Sequence, residues 1–441
     1  MLAHIEGCKS LSNLEELTND YSREPVPADK LVSGWNVAIV IFSVGITLPI
    51  FYLGSDLGAK LGLAKAAIAF TAGCLMLGVL ACFTAYIGAK TRLSSYMIIE
   101  FSFGRSGARL VNWLMAIALL GYYGATADIF GTALRDACAN LFGVQGPEAL
   151  YTFAGSLLMT LTAIFGYNAL SKLSLATVPL MTAFLAFAVY LAIDKTSLEH
   201  LMHSEGLPEA TLGVAISAVL GSSIQMSVLM PDVARFARSG LHGILSVSGL
   251  AFGYPLLFLA AAISTIATGH HDIMQIMISL GIAIPALLTL IFSTWTTNTA
   301  NLYSTTLTLA TIFTRLKDWK ITLGAAAIGT TLAMAGIMEH FISFLMWLGI
   351  TTPPIAGIYL VDYFVNRISY DVTTLDRRAA FNWSAALAWT GASLVGYLSS
   401  IDVIQITGVA GVDSLIAAGV LHFILSKSSL ALSTSIKTPA A

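Results

Sequence analysis

The densest run of chemically able side chains in the 441-residue sequence is Ser293-Thr294-Trp295-Thr296-Thr297-Asn298-Thr299, followed one residue later by Asn301. Hydroxyls and amides crowded into an otherwise apolar stretch can hold a hard cation through oxygen or hydrogen-bond a polar solute. Such groups also tie neighbouring membrane helices together, but the density of this run favours a site. A second segment, Ser43-Val-Gly45-Ile-Thr47-Leu-Pro49, places glycine and proline in mid-helix, where they free backbone carbonyls. Thr296 and Thr297 could join such carbonyls in an oxygen-only cage suited to a small monovalent cation. A third, Gly221-Ser222-Ser223-Ile-Gln225, is polar in the same way and runs on to Pro231.

Leu119, Tyr122, Tyr123 and Thr126 share one face at helical spacing. A ring on that face suits stacking on a flat solute, and spacing alone fits a packed core aromatic as well. Asp128 lies on the adjoining face with Gly121, Gly124 and Ala125, whose small side chains admit a close neighbouring helix. An acid within an apolar span points to proton coupling, or to a structural acceptor of hydrogen bonds from that neighbour. No nucleophile–histidine–acid set accompanies these residues, so an enzyme is not expected, and nothing calls for an organic cofactor.

These residues must be positioned by helices in lipid. Hydrophobic residues make up 56% of the chain and charged residues 10%, with a formal net charge of −2. Soluble domains carry about 25% charged residues, so a soluble enzyme, a nucleic-acid binder and a disordered scaffold are excluded. Apolar runs of about 20 residues predict transmembrane helices at 34–54, 64–88, 108–134, 149–167, 171–193, 212–230, 242–268, 280–313, 320–337, 341–364, 381–398 and 408–425. With both termini inside, all of the 22 lysines and arginines except Lys60, Lys65, Arg135 and Lys195 fall on the cytoplasmic side. That asymmetry follows the positive-inside rule and predicts a multi-pass inner (plasma) membrane protein with cytoplasmic ends. Residues 1–33 read as a polar cytoplasmic tail, since they lack the basic start and apolar run of a signal peptide.

Cys8, Cys74, Cys82 and Cys138 are scattered and form neither a disulfide framework nor a metal spacing. His200 and His203, in an acidic outside loop at 194–211, and the adjacent His270 and His271 read as solvated loop residues. The glycine- and serine-rich interruptions in spans 1 and 6 sit at matched positions, each in the first helix of a five-helix unit. Broken helices at corresponding positions mark inverted-repeat transporters. The predicted organisation is therefore a first repeat at 34–193, a second at 212–364, an appended helix pair at 381–425 and a cytoplasmic tail at 426–441.

Five segments in order carry a resemblance. Tyr86-Ile-Gly-Ala-Lys-Thr91, Phe101-Ser-Phe-Gly104, Asp232-Val-Ala-Arg-Phe236, Trp295-Thr-Thr-Asn298 with Leu302-Tyr303, and Pro353-Pro354 with Asp362-Tyr363 resemble the nucleobase:cation symporter-1 family, closest to its cytosine permease branch. The resemblance implies an all-α, five-plus-five inverted-repeat fold and a midplane site between spans 1, 3, 6 and 8. It implies stacking on Tyr122, polar contacts from Asn298, Ser222 and Thr126, and Thr47 at the break of span 1. It also implies sodium on the hydroxyls of Thr296 and Thr297, the carbonyl of Ser293, and carbonyls near Ser43 and Ile46. Three positions depart from the cytosine permease pattern: Leu119 replaces a base-reading glutamine, Ser223 a second aromatic, and Gln225 a serine. A different nitrogen heterocycle is thus expected as cargo, carried by a monomer with sodium as the co-transported ion. Proton coupling, or an amino-acid or amine cargo, are the alternatives.

Overall fold

The computed structural model describes residues 21–204, 206–207, 211–270, 273–337 and 341–435. The first twenty residues, with Cys8, lie outside the described set, as do Glu205, Glu209, His271 and residues 436–441. The described chain is helical, and its one β-type contact is a parallel bridge between Val32 and Ala237.

The helices are α1 (Gly34–Gly45), α2 (Leu48–Leu61), α3 (Leu63–Thr91), α4 (Ser95–Phe142), α5 (Glu148–Ala163), α6 (Gly166–Thr196) and the short α7 (Leu198–Met202). They continue with α8 (Leu212–Val228), α9 (Pro231–Ala234), α10 (Gly240–Ser246), α11 (Tyr254–Thr268) and α12 (Ile273–Ser279). The last are α13 (Ala283–Ile312), α14 (Asp318–Met334), α15 (Phe341–Thr351), α16 (Pro353–Phe364), α17 (Trp383–Ser400) and α18 (Ala410–Ser435). Helix occupies every predicted span. Among the described residues, six stretches are long and apolar enough on their own to cross a bilayer, and α1 with α2, bent by 66°, makes a seventh. α13 has the length, but its polar run lowers its hydropathy. Ile68, Leu75, Val79 and Phe83 lie exposed along one face of α3. In water so continuous an apolar stripe would be a liability; in lipid it is the expected outer surface.

Four elements differ from expectation. Span 6 does not break at Gly221–Ser223: α8 runs unbroken to Val228, and the turn comes at Leu229–Met230 before Pro231. The reason is local, because the Ser222 hydroxyl closes on the Val219 carbonyl at 2.8 Å, inside the helix. Span 10 is instead divided, α15 ending one residue before Pro353-Pro354. Helix α18 extends to Ser435, beyond the predicted end at 425. Helix α4 begins at Ser95, well before 108, and bends at Gly104 (φ 74°, ψ 161°). A Cβ at Gly104 would stand 2.5 Å from the Ala379 carbonyl oxygen. There the 379–382 segment takes up the freed backbone groups: Ser106 N donates to Ala380 O at 2.7 Å and Asn382 N to Phe103 O at 2.9 Å.

Small residues bring the site helices together, as membrane packing requires. Gly54 and Gly58 of α2 meet Phe258, Ala261 and Ala262 of α11, and Gly73 of α3 meets Val219 of α8. Gly124 of α4 faces Gly329 and Leu332 of α14. The small face beside Asp128 therefore does admit a close neighbour.

Candidate substrate and cation site

Helix α1 stops where Gly45 meets Ile46. The Gly45 position has no room for a side chain, since a Cβ would lie 2.0 Å from the Tyr254 ring of α11. Tyr254 is held there by its hydroxyl, which donates to Ile41 O at 3.3 Å. Thr47 begins the next helix, its side chain accepting from Ile50 N at 3.3 Å, with Pro49 in the first turn. The carbonyls at the end of α1 thus lack the partners of a continuing α-helix, Ser43 O keeping only a capping bond from Ile46 N at 3.2 Å, and carry the partial negative charge of a helix C-terminus.

The polar run of α13 lies against those carbonyls. Thr296 Oγ1 is 3.4 Å from Ser43 O, 2.9 Å from Ser293 O and 3.1 Å from Phe292 O. Thr297 Oγ1 is 3.3 Å from Val44 O. One hydroxyl proton cannot satisfy three carbonyls at once, so Thr296 sits among more acceptors than it can serve. Ser43, Ser293, Thr296 and Thr297 are all buried. The result is a buried cluster of oxygens with no lysine or arginine bonded to it among the described residues, an arrangement a small hard cation can bind. Ile46 is buried beside it, its N–H donating to Ser43 O at 3.2 Å. Val44 is a carbonyl that sequence reasoning missed; nothing in its side chain signals the role. Helix α6 braces the cluster, with Ser174 Oγ 2.7 Å from Ser43 Oγ.

Helices α4 and α13 meet one residue further on. Asn298, fully buried, donates from Nδ2 to Tyr123 O at 3.2 Å, and its Oδ1 accepts from Asn301 Nδ2 at 3.3 Å. Asn298 therefore ties α4 to α13. Trp295 points the other way and donates to Thr162 Oγ1 of α5 at 2.8 Å.

Tyr122 is half-buried, and its ring meets Phe344 of α15 edge to face at 5.8 Å. Phe344 also covers Gly121, where a Cβ would lie 2.3 Å from its ring. No aromatic comes from α8, where Ser223 stands, and Phe344 on α15 is the ring that accompanies Tyr122. Leu119 is buried in the main apolar core. Thr126 turns its hydroxyl back to Tyr122 O at 2.8 Å. Asp128 is half-buried on the same helix.

On α8, Ser222 and Ser223 lie 3.2 Å apart through their hydroxyls. Gln225 is buried at 8% exposure, and neither its Oε1 nor its Nε2 has a hydrogen-bond partner among the described residues.

Asp232 and Arg235 of one sequence motif and Tyr303 of another form a buried hub. Arg235, fully buried, donates to Asp232 O at 3.1 Å, Tyr21 O at 2.7 Å and the Tyr303 hydroxyl at 2.7 Å. Asp232 in turn accepts from Ser95 N at 2.8 Å and Ser304 Oγ at 3.2 Å. Nearby, Asp362 of α16 and His422 of α18 form a buried pair at 2.8 Å.

Comparison with known proteins identifies similar sequences and a similar fold. A family model described as permease for cytosine/purines, uracil, thiamine, allantoin covers residues 25–419. The cytosine permease of Escherichia coli K12 is 29% identical over 415 residues, 92% of this chain and 94% of that protein. The hydantoin permease of Microbacterium maritypicum is 25% identical over 458 residues, 95% of this chain and 89% of that one. Among solved structures, MHP1, a nucleobase-cation-symport-1 family transporter with bromovinylhydantoin bound, superposes with a TM-score of 0.78 at 22% identity, over 93% of this chain and 95% of that one. A Na+-coupled sialic acid symporter superposes with a TM-score of 0.68 at 13% identity, over 95% of both chains.

Proposed function

This chain belongs to the permease family for cytosine/purines, uracil, thiamine and allantoin, is a membrane transporter and not an enzyme, and we propose that it is a sodium-coupled symporter importing a neutral nitrogen heterocycle. The observation that carries the coupling is the buried oxygen cluster of Ser43 O, Val44 O, Ser293 O, Thr296 Oγ1 and Thr297 Oγ1 at the break between α1 and α2. Freed carbonyls of a discontinuous helix are the usual ligands for a coupling cation in such folds. A cation there holds α1 against α13, and so fixes the break at Thr47 beside the substrate space. In this reading the Ile46 carbonyl completes the cage.

The cargo lies between α1, α4, α8 and α13, its ring against Tyr122 and its polar edge toward Asn298, Ser222, Ser223, Gln225, Thr126 and Thr47. Leu119 makes one wall apolar. The near absence of charge around this space, Asp128 apart, suits a neutral ring better than an ion.

The architecture proposed for this work is twelve transmembrane helices in the inner membrane: repeats at 34–193 and 212–364, an appended pair at 381–425, and tails at 1–33 and 426–441 in the cytoplasm. Rocking of one bundle against the other would expose the site alternately to each side, within a monomer.

A thermal-shift panel of purines, pyrimidines, hydantoins and vitamin precursors, with sodium or with potassium, tests the reading. Stabilisation by one heterocycle class, deeper in sodium, is expected. Stabilisation by amino acids and by none of the heterocycles would replace the cargo, and identical shifts in both salts would remove sodium.

A further inference from the structure

Helix α8 packs mainly on α3, with further contacts to α2, α15, α16 and α18. Val219 packs into Gly73 of α3, and Ser227 Oγ donates to Leu77 O of the same helix at 3.2 Å. Ile224 lies against Gly411 of α18, and Val228 O accepts from the Tyr359 hydroxyl of α16 at 2.7 Å. At about 100° per residue, these four contacts occupy one half of the helix. The other half carries Gly221, Ser222 and Gln225. Gly221 is exposed, and a Cβ there would meet nothing within 4 Å. Ser222 satisfies its hydroxyl on Val219 O within the helix, so the unmet polar demand of this face rests on Gln225, which lipid could not satisfy.

Gln225 is the buried, inner member of that face. Both ends of its amide are unpaired among the described residues, and leaving a buried amide unmade is costly. Asn298, the other amide expected at the site, already bonds Tyr123 O and Asn301. Asn298 keeps one donor and one acceptor site beyond those bonds, whereas Gln225 on α8 has its whole amide unpaired among the described residues.

We propose that Gln225 determines specificity by pairing with a lactam edge of the cargo, Nε2 donating to a ring carbonyl while Oε1 accepts from the adjacent ring N–H. A primary amide presents one donor and one acceptor side by side, and a cis N–H/C=O edge is its direct complement. The inference rests on the heterocycle-transport reading above and deepens it: the cargo carries an unsubstituted lactam, and ring N-methylation abolishes its recognition.

The test uses the full-length protein and four probes, uracil, cytosine, hypoxanthine and hydantoin, each beside its fully ring-N-methylated form. Binding is read by thermal shift and uptake in proteoliposomes. Wild type should bind at least one parent compound and reject its methylated form. Gln225→Leu should lose that compound by about tenfold or more in affinity, while the ligand-free protein melts higher, since an unpaired buried amide has been replaced by an apolar group of similar volume. Gln225→Glu, which removes the donor, should lose the same compound.

A role in packing alone gives the opposite pattern: Gln225→Leu would melt lower and keep its affinity, which overturns the proposal. Equal binding of methylated and parent compounds by wild type overturns it too, with the transport reading intact. Wild type that responds to none of the eight compounds overturns both.

Discussion

Arg235 Nη2 and the Tyr303 hydroxyl are joined at 2.7 Å, which ties the turn after α8 to the far half of α13 by a buried, charge-assisted bond. Tyr303 passes the link on, its hydroxyl lying 3.4 Å from Asp232 O. Hydrogen bonds to charged groups contribute about 1.5–3 kcal/mol, and removing one member of a buried charged network costs about 3–5 kcal/mol. Tyr303→Phe should therefore lower stability by about 2 kcal/mol, and Arg235→Ala by about twice that. Melting of the purified variants in detergent checks the order. A Tyr303→Phe protein as stable as wild type would reduce this hub to a bystander.

Gly104 gives a backbone prediction. Its φ of 74° with ψ of 161° belongs to a region that side chains rarely enter, and a Cβ would meet the Ala379 carbonyl oxygen at 2.5 Å. Strain of this kind costs on the order of 1–3 kcal/mol before any clash is counted. Gly104→Ala should lower the melting temperature more than Gly221→Ala, whose Cβ would enter open space. Comparing the two in one thermal series separates backbone strain from the general effect of replacing glycine in α-helices.

Much of this architecture was legible because lipid demands long apolar runs, and such runs stand out in a sequence. The break at Gly45–Pro49 was legible for a similar reason, since both residues punctuate helices. The expected break at Gly221–Ser223 failed because serine hydroxyls can satisfy carbonyls of their own helix, and composition does not reveal when they do. Phe344 was missed because its meeting with Tyr122 depends on how α15 packs across α4, which no local pattern encodes. Val44 was missed because it acts through a carbonyl that every residue possesses. Phe101-Ser-Phe-Gly104 carries no local sign of its bend, which needs the 379–382 segment arriving from far along the chain.

Tyr122 separates ring recognition from packing. Its ring meets Phe344 edge to face at 5.8 Å, and in the proposed site it stacks on the flat solute. Stacking of a base on an aromatic contributes about 1–3 kcal/mol, so Tyr122→Ala should weaken cargo binding about tenfold or more. Tyr122→Phe, which keeps the ring, should retain most of the affinity. Asn298→Ala is a less clean probe than it looks from sequence, because Asn298 also bonds Tyr123 O. It should lower thermal stability together with affinity. Unchanged affinity in Tyr122→Ala would move the ring elsewhere in the site.

The coupling ion is decided by Thr296 and Thr297 against Asp128. If sodium sits among the oxygens at the end of α1, each hydroxyl removed deletes a ligand, and about 1.4 kcal/mol is a factor of ten in affinity. Thr296→Ala and Thr297→Ala should each raise the sodium concentration for half-maximal uptake by about tenfold, with maximal uptake preserved at saturating sodium. Thr296 should matter more, since its hydroxyl approaches Ser43, Ser293 and Phe292 carbonyls while that of Thr297 approaches Val44 alone. Thr296→Ser, which keeps the oxygen, should restore the sodium response. Asp128→Asn leaves this cluster intact and should leave the sodium requirement unchanged. The converse pattern, uptake indifferent to sodium, driven by an inward proton gradient and abolished in Asp128→Asn, would assign the coupling to Asp128. In that case the α1–α13 oxygens would serve only to hold the two helices together.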